Sequence, residues 1–161
     1  VYCTTTVGFT LSQWLRLLTA LSVVNVICNL LFGIIGDKFG WRRTVTFFGG
    51  LGCATFTLAL YYSLQGGVSN YWFAVLAGMG YGAMLSAYTP LGAIMAALAP
   101  GRKGAAMAIL NFGAGASAWV GPAIAGVFLP LVGVGGVMWI YAILYIISAA
   151  LSWSMKVPED K

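Results

Sequence analysis

The sequence predicts an all-α integral membrane protein of five transmembrane helices, and three observations predict it. Of its 161 residues, 61% are hydrophobic and only 7% are charged, where soluble globular proteins have about a quarter charged. The apolar residues gather into five runs, each close to or above the roughly 20 residues that carry a helix across a bilayer core. The charges sit almost entirely in the joints between the runs. A net charge of +5 raises the question of nucleic acid, but the basic residues are scattered over run ends and form no single patch, which argues against it.

Taken in order, residues 1–10 form a short polar and aromatic lead-in. Thr10 and Gln13 have the spacing of a capping box, which starts a helix near Leu11. The first span covers about 11–35, and a second follows at 44–64. Gln65-Gly66-Gly67-Val68-Ser69-Asn70 is an uncharged turn. The third span, 71–98, stops at Ala99-Pro100-Gly101-Arg102-Lys103, and the fourth, 104–129, stops at Pro130 and a turn over 133–136. The fifth, 137–155, meets Lys156 and a charged tail at 157–161.

Cytoplasmic loops of membrane proteins hold the excess of Lys and Arg. Lys38, Arg42, Arg43, Arg102, Lys103, Lys156 and Lys161 fall on one side of the predicted bundle, seven of the eight basic residues. That side is assigned as cytoplasmic, together with the C-terminus, and residues 1–10 as extracytoplasmic. Five spans then leave Val1 outside, and one further span upstream would restore a cytoplasmic start. No basic segment with a short apolar core and a cleavage site opens the chain, so no signal peptide is expected. Cys3, Cys28 and Cys53 have no metal-ligand spacing and read as small packing residues. No metal site and no cofactor is expected.

The joint between the first two spans holds four of the eleven formal charges in Gly33-Ile34-Ile35-Gly36-Asp37-Lys38-Phe39-Gly40-Trp41-Arg42-Arg43. Gly33, Asp37, Lys38, Gly40, Arg42 and Arg43 resemble the loop signature of the major facilitator superfamily, with Trp41 where many members have a basic residue. The resemblance implies a six-helix half-bundle of a transporter. No Arg lies within the third span and no long loop follows the fifth, which by the same resemblance points to the C-terminal half, residues 11–156. Its partners would then be the lipid bilayer and a missing N-terminal half of the same protein.

A narrower resemblance rests on Gly8-Phe9-Thr10 with Trp14, Gly36 to Trp41, Lys103 to Ala106 with Asn111, Pro122-Ala123-Ile124 and Leu129-Pro130. Together these are similar to the bacterial polyol permeases, the ribitol and arabinitol transporters of the inner membrane. The implied activity is uptake of a small polar solute, a sugar alcohol, by proton symport and alternating access. Two same-fold alternatives are an exporter of hydrophobic compounds and an organic-acid symporter. A non-transporting membrane scaffold subunit is an alternative of another class.

Asn25 and Asn29 lie one turn apart on the first span, where an uncharged amide can bond a solute hydroxyl without burying a charge. The other reading is interhelical hydrogen bonding. Tyr81 and Tyr88 are seven residues apart on the third span, so they share a face and offer hydroxyls on flat apolar surfaces; ordinary packing is the alternative. Asn111 and Trp119 are further solute candidates on the fourth span, which also has Ser117 and a Gly121-Pro122 pair suited to a bend. Gly78, Gly80 and Gly82 suit close helix approach.

In the loop, Asp37 reads as a gate residue that can pair with Arg42 or Arg43, or meet the positive end of a facing helix; a solvated charge is the alternative. Arg16, one turn into the first span, reads as a snorkelling side chain. There is no His, and the acids Asp37, Glu159 and Asp160 all lie outside the apolar runs. A proton-coupled carrier needs a titrating group in its path, so that group is expected in the missing half. No nucleophile with an adjacent base and no carboxylate pair can be assembled, so no enzyme is expected.

Overall fold

The chain builds helices because its long apolar segments leave backbone groups that only helical hydrogen bonding satisfies away from water. The computed structural model describes residues 2–157. The predicted cytoplasmic tail beyond Val157, with Glu159, Asp160 and Lys161, lies outside the described residues, as does Val1. No strand occurs among the described residues.

After a short turn of helix α1, Tyr2–Thr5, the first span is α2, Leu11–Phe39. Its start is the predicted capping box: the Gln13 amide donates to Thr10 Oγ1 at 3.2 Å, and the Thr10 amide donates to Gln13 Oε1 at 2.9 Å. The helix runs past Ile35 because Gly36, Asp37 and Lys38 contain nothing that breaks it. Gly40 ends it at φ 101°, a conformation only glycine takes readily. The basic turn therefore contracts to Gly40, and the second helical rod, α3, begins at once as Trp41–Gln65. Its segment Val45–Gly52 is wound as π-helix.

The third span, α4, covers Gly67–Leu98 and is broken near its middle. Its helix Tyr71–Leu85 tightens to a 3₁₀ turn at Ser86–Tyr88, and a new helix starts after Pro90 at Leu91. Proline lacks the N–H that would continue the ladder, which accounts for the break. The last helical stretch, Lys103–Ser154, is 52 residues long. Straight, it would extend about 78 Å, far beyond a core of about 30 Å. Gly133, at φ 67° and ψ −179°, divides it into α5, residues 103–132, and α6, residues 134–154. Tyr141 Oη donates to the Gly121 carbonyl at 2.8 Å, a contact between residues that one straight helix would hold about 30 Å apart. The two arms form a hairpin, which brings the spans to five.

Close crossings hold the spans together. At Gly82 of α4 an added Cβ would collide with the Leu21 carbonyl of α2, and at Gly50 of α3 with Ala149 of α6. Two apolar clusters mark the ends of the bundle. One joins Cys3, Phe9, Leu17, Leu64 and Ala74 near the uncharged turn. The other joins Val45, Ile94 and Val157 with Trp41, Tyr88 and Leu91 packed against them, where the basic joints meet. Outward-facing side chains such as Leu30, Trp72 and Phe112 are about three-quarters exposed, as a lipid-solvated surface allows.

Gly82→Leu should lower the yield of folded protein in detergent, because overpacking a tight crossing costs about 1–3 kcal/mol or more. Gly113→Ala, at a position where a Cβ meets nothing within 4 Å, should leave fluorescence-detected size exclusion and the melting midpoint unchanged or slightly improved.

Candidate functional site: a hydroxyl-lined cavity and a tethered basic turn

A half-open cavity of ≈ 750 Å³ lies among the spans, within the usual size of small-molecule sites. From α3 it takes Thr57, Leu60, Tyr61 and Leu64, and from α4 Tyr81 and Tyr88. From α5 it takes Ser117, Val120, Gly121 and Ile124, and from α6 Met138, Tyr141, Leu144, Tyr145 and Ser148; Trp14 and Cys3 complete the wall. No Lys, Arg, His, Asp or Glu is among these lining residues. The wall is therefore apolar surface dotted with uncharged hydroxyls.

Those hydroxyls also clasp the helices. Tyr81 Oη and Tyr145 Oη are 2.7 Å apart, with rings edge-on at 6.4 Å between centroids. Tyr88 Oη and Ser148 Oγ are 3.4 Å apart, a longer bond between the same two helices. Thr57 is buried, and its Oγ1 has no hydrogen-bond partner.

Asn25 and Asn29 sit elsewhere, against the break in α4. Asn25 Nδ2 donates to the Gly82 carbonyl and to Ser86 Oγ, both at 3.0 Å, while Ser86 Oγ donates to the Asn25 carbonyl at 2.8 Å. Asn29 Nδ2 donates to the Asn25 carbonyl at 2.9 Å, and Asn29 Oδ1 accepts from Thr89 Oγ1 at 2.6 Å. Where the 3₁₀ turn and Pro90 disrupt the ladder, side chains of α2 take its place. Ser86 is 1% exposed, so these partners substitute for water.

At the basic turn, Asp37 Oδ1 accepts from the Trp41 indole Nε1 at 2.9 Å. Arg42 reaches the other way: its Nη1 donates to the carbonyls of Met155 at 3.2 Å and Trp153 at 3.4 Å, and its guanidinium lies 5.2 Å from the Trp153 ring centroid. These carbonyls are at the C-terminal end of α6, where a cation complements the helix dipole. Lys38 and Arg43 are exposed. At Gly36 an added Cβ would stand 2.7 Å from Pro90 Cγ, whereas Gly33 has open space around it.

A family model of the Major Facilitator Superfamily matches residues 2–161. The chain belongs to this superfamily. It is 46% identical over 95% of its length to an alpha-ketoglutarate permease of Bacillus subtilis and 46% identical over 96% to the putative transporter YoaB of the same organism. It is 36% identical over 94% of its length to a D-arabinitol transporter of Klebsiella pneumoniae. The aligned portions are 35%, 37% and 36% of these relatives, so the chain spans little more than a third of their length. No solved structure matches it.

In this facilitator chain, the cavity gathers Tyr81 and Tyr88 but not Asn25, Asn29, Asn111 or Trp119. Asn111 and Trp119 lie on exposed faces of α5, Trp119 being 67% exposed. The predicted pairing of Asp37 with Arg42 or Arg43 gives way to the indole bond, because the short step through Gly40 sets Trp41 one helical turn from Asp37. Sequence reasoning missed Tyr141, Tyr145 and Ser148, which succeed one another at spacings of four and three and so share a face of the last span. That periodicity was the available signal.

Asn25→Ala should destabilise the solute-free protein by about 1–2 kcal/mol, since it removes the hydrogen bonds from α2 to Gly82 and Ser86 at the helix break. Thermal unfolding in detergent measures this; a side chain that only contacted solute would leave the solute-free midpoint in place. Arg42→Ala should cost about 1 kcal/mol by the same measurement, with only partial recovery in Arg42→Lys, which keeps the charge but loses the planar stack.

Proposed function

We propose that the chain is the C-terminal half of a secondary active transporter of the bacterial inner membrane that takes up a small polar solute, a sugar alcohol, by proton symport and alternating access. The observation that carries this reading is the cavity: about the size of a small-molecule site, free of formal charge and lined by hydroxyls on aromatic and aliphatic surface. A polyol needs many hydrogen-bond partners and no counter-ion, and its CH faces pack on Tyr rings. The D-arabinitol transporter among the relatives supports the same solute class. Membership of a transporter superfamily argues against an enzyme.

In this reading the other half of the same transporter completes the pathway and supplies the titrating group. Tyr81 and Tyr88 contact the solute, and the bundle end that holds Lys38, Arg42 and Arg43 faces the cytoplasm with the C-terminus. There the turn from Gly33 to Arg43 acts as a gate element, with Arg42 tying the first hairpin to the end of α6 while the inner side is closed. A second reading, an organic-acid carrier, is favoured by the greater identity to a protein named alpha-ketoglutarate permease.

The test is uptake of labelled ribitol and D-arabitol by cells expressing the whole transporter that contains this chain, with and without a protonophore. Protonophore-sensitive uptake of either pentitol is expected. Uptake of α-ketoglutarate in its place, from a well-expressed protein, would transfer the assignment to the organic-acid reading.

A further inference from the structure

Building on the reading of the cavity as a solute site, we infer that Tyr145 is a specificity-determining residue. Paired with Tyr81, it recognises two neighbouring hydroxyls of a neutral polyol and disfavours a carboxylate. Nothing in the loop signature or in the spacing of the third span points to it; the juxtaposition is made by packing α6 against α4.

Donors and acceptors can be counted at this pair. The two phenol oxygens are 2.7 Å apart and either can be the donor. One O–H is spent between them, which leaves the pair with one free O–H and free oxygen lone pairs. Both lie within a single hydrogen-bond length of each other. Neighbouring hydroxyls of a polyol have the matching character, because each can donate and accept. One solute hydroxyl takes the free O–H while its neighbour donates to the adjacent phenol oxygen.

A carboxylate has two acceptor oxygens and no donor. It can engage both oxygens only by taking both O–H groups and breaking the Tyr81–Tyr145 bond, whereas two solute hydroxyls leave that bond in place. The wall offers no cation to offset the loss of its hydration, since no Lys, Arg or His lines the cavity. Tyr88 and Ser148 repeat the arrangement between the same helices at 3.4 Å, again as two uncharged hydroxyls. Along this wall the chemistry therefore favours a run of hydroxyls over a charged end group.

The test uses the full-length transporter, purified and reconstituted in liposomes, with ribitol, 1-deoxyribitol and 2-deoxyribitol as substrates and α-ketoglutarate as competitor. The wild type should prefer ribitol to at least one deoxy analogue and should not be inhibited by α-ketoglutarate at concentrations well above the ribitol KM. Tyr145→Phe should raise the ribitol KM about tenfold, the worth of one hydrogen bond, with little change in kcat. Its preference for ribitol over the affected analogue should fall toward unity, because the partner of the missing solute hydroxyl is gone.

A Tyr145→Phe protein that slows all three substrates equally has lost only a helix clasp, and that result overturns the inference. So does an unchanged ribitol KM, or inhibition of the wild type by α-ketoglutarate. If Tyr145→Phe does not fold, Tyr81→Phe removes the other member of the pair and should show the same loss of preference. The wild-type competition experiment needs no variant. A wild type that transports no pentitol overturns the solute reading and this inference together, whereas pentitol transport with unaltered selectivity in the variants overturns the inference alone.

Discussion

Backbone carbonyls and amides inside hydrocarbon must find partners within the protein, and the crossing of α2 with α4 is where this chain meets that condition most tightly. The helix of α4 breaks at Ser86–Tyr88 and Pro90, and Asn25, Ser86 and Thr89 donate to the Gly82 and Ser86 carbonyls at the break. Gly82 lets the α2 backbone come close enough for an Asn of ordinary reach to do so. Small residue, helix break and amide form one unit. Tyr81 before the break and Tyr88 within it line the same cavity.

Several polar groups of the bundle interior link two helices. Tyr81 meets Tyr145, Tyr88 meets Ser148, and Tyr141 meets the backbone of α5 beside Pro122. Hydroxyls serve this purpose well because each both donates and accepts, so a solute hydroxyl can replace a protein one with no charge left stranded. A wall built in this way holds its helices together without burying a charge. That economy separates it from a wall of charged residues, where an absent solute leaves a buried ion to be neutralised.

At the other end, charge is used differently. Arg42 bonds the terminal carbonyls of α6 and lies against the Trp153 ring, and Asp37 is held by the Trp41 indole within its own turn. The result is a contact between the first hairpin and the last helix at the end of the bundle where the basic joints meet. The same end also buries Val45, Ile94 and Val157 and stacks Phe47 on Trp153, so apolar packing joins the cation contact there.

Much of the architecture was legible in the residues. Five apolar runs, the capping box at Thr10 and Gln13, the glycines of the third span and the superfamily loop come from hydropathy, local hydrogen-bonding chemistry and a sequence pattern, which depend on neighbours along the chain. The exact reach of α2, the contraction of the basic turn to Gly40 and the split at Gly133 were less legible, because several nearby glycines could each have made the turn. What only the tertiary structure decided was partnership. Asn25 and Tyr81 are both polar residues on apolar helices, yet one bonds a broken backbone and the other lines a cavity. Tyr145 stands 64 residues from its partner Tyr81. The physical reason is that a helix's periodicity tells which residues share a face, whereas the rotation and crossing of packed helices, set by contacts such as Gly82 on Leu21 and Gly50 on Ala149, tell what that face meets.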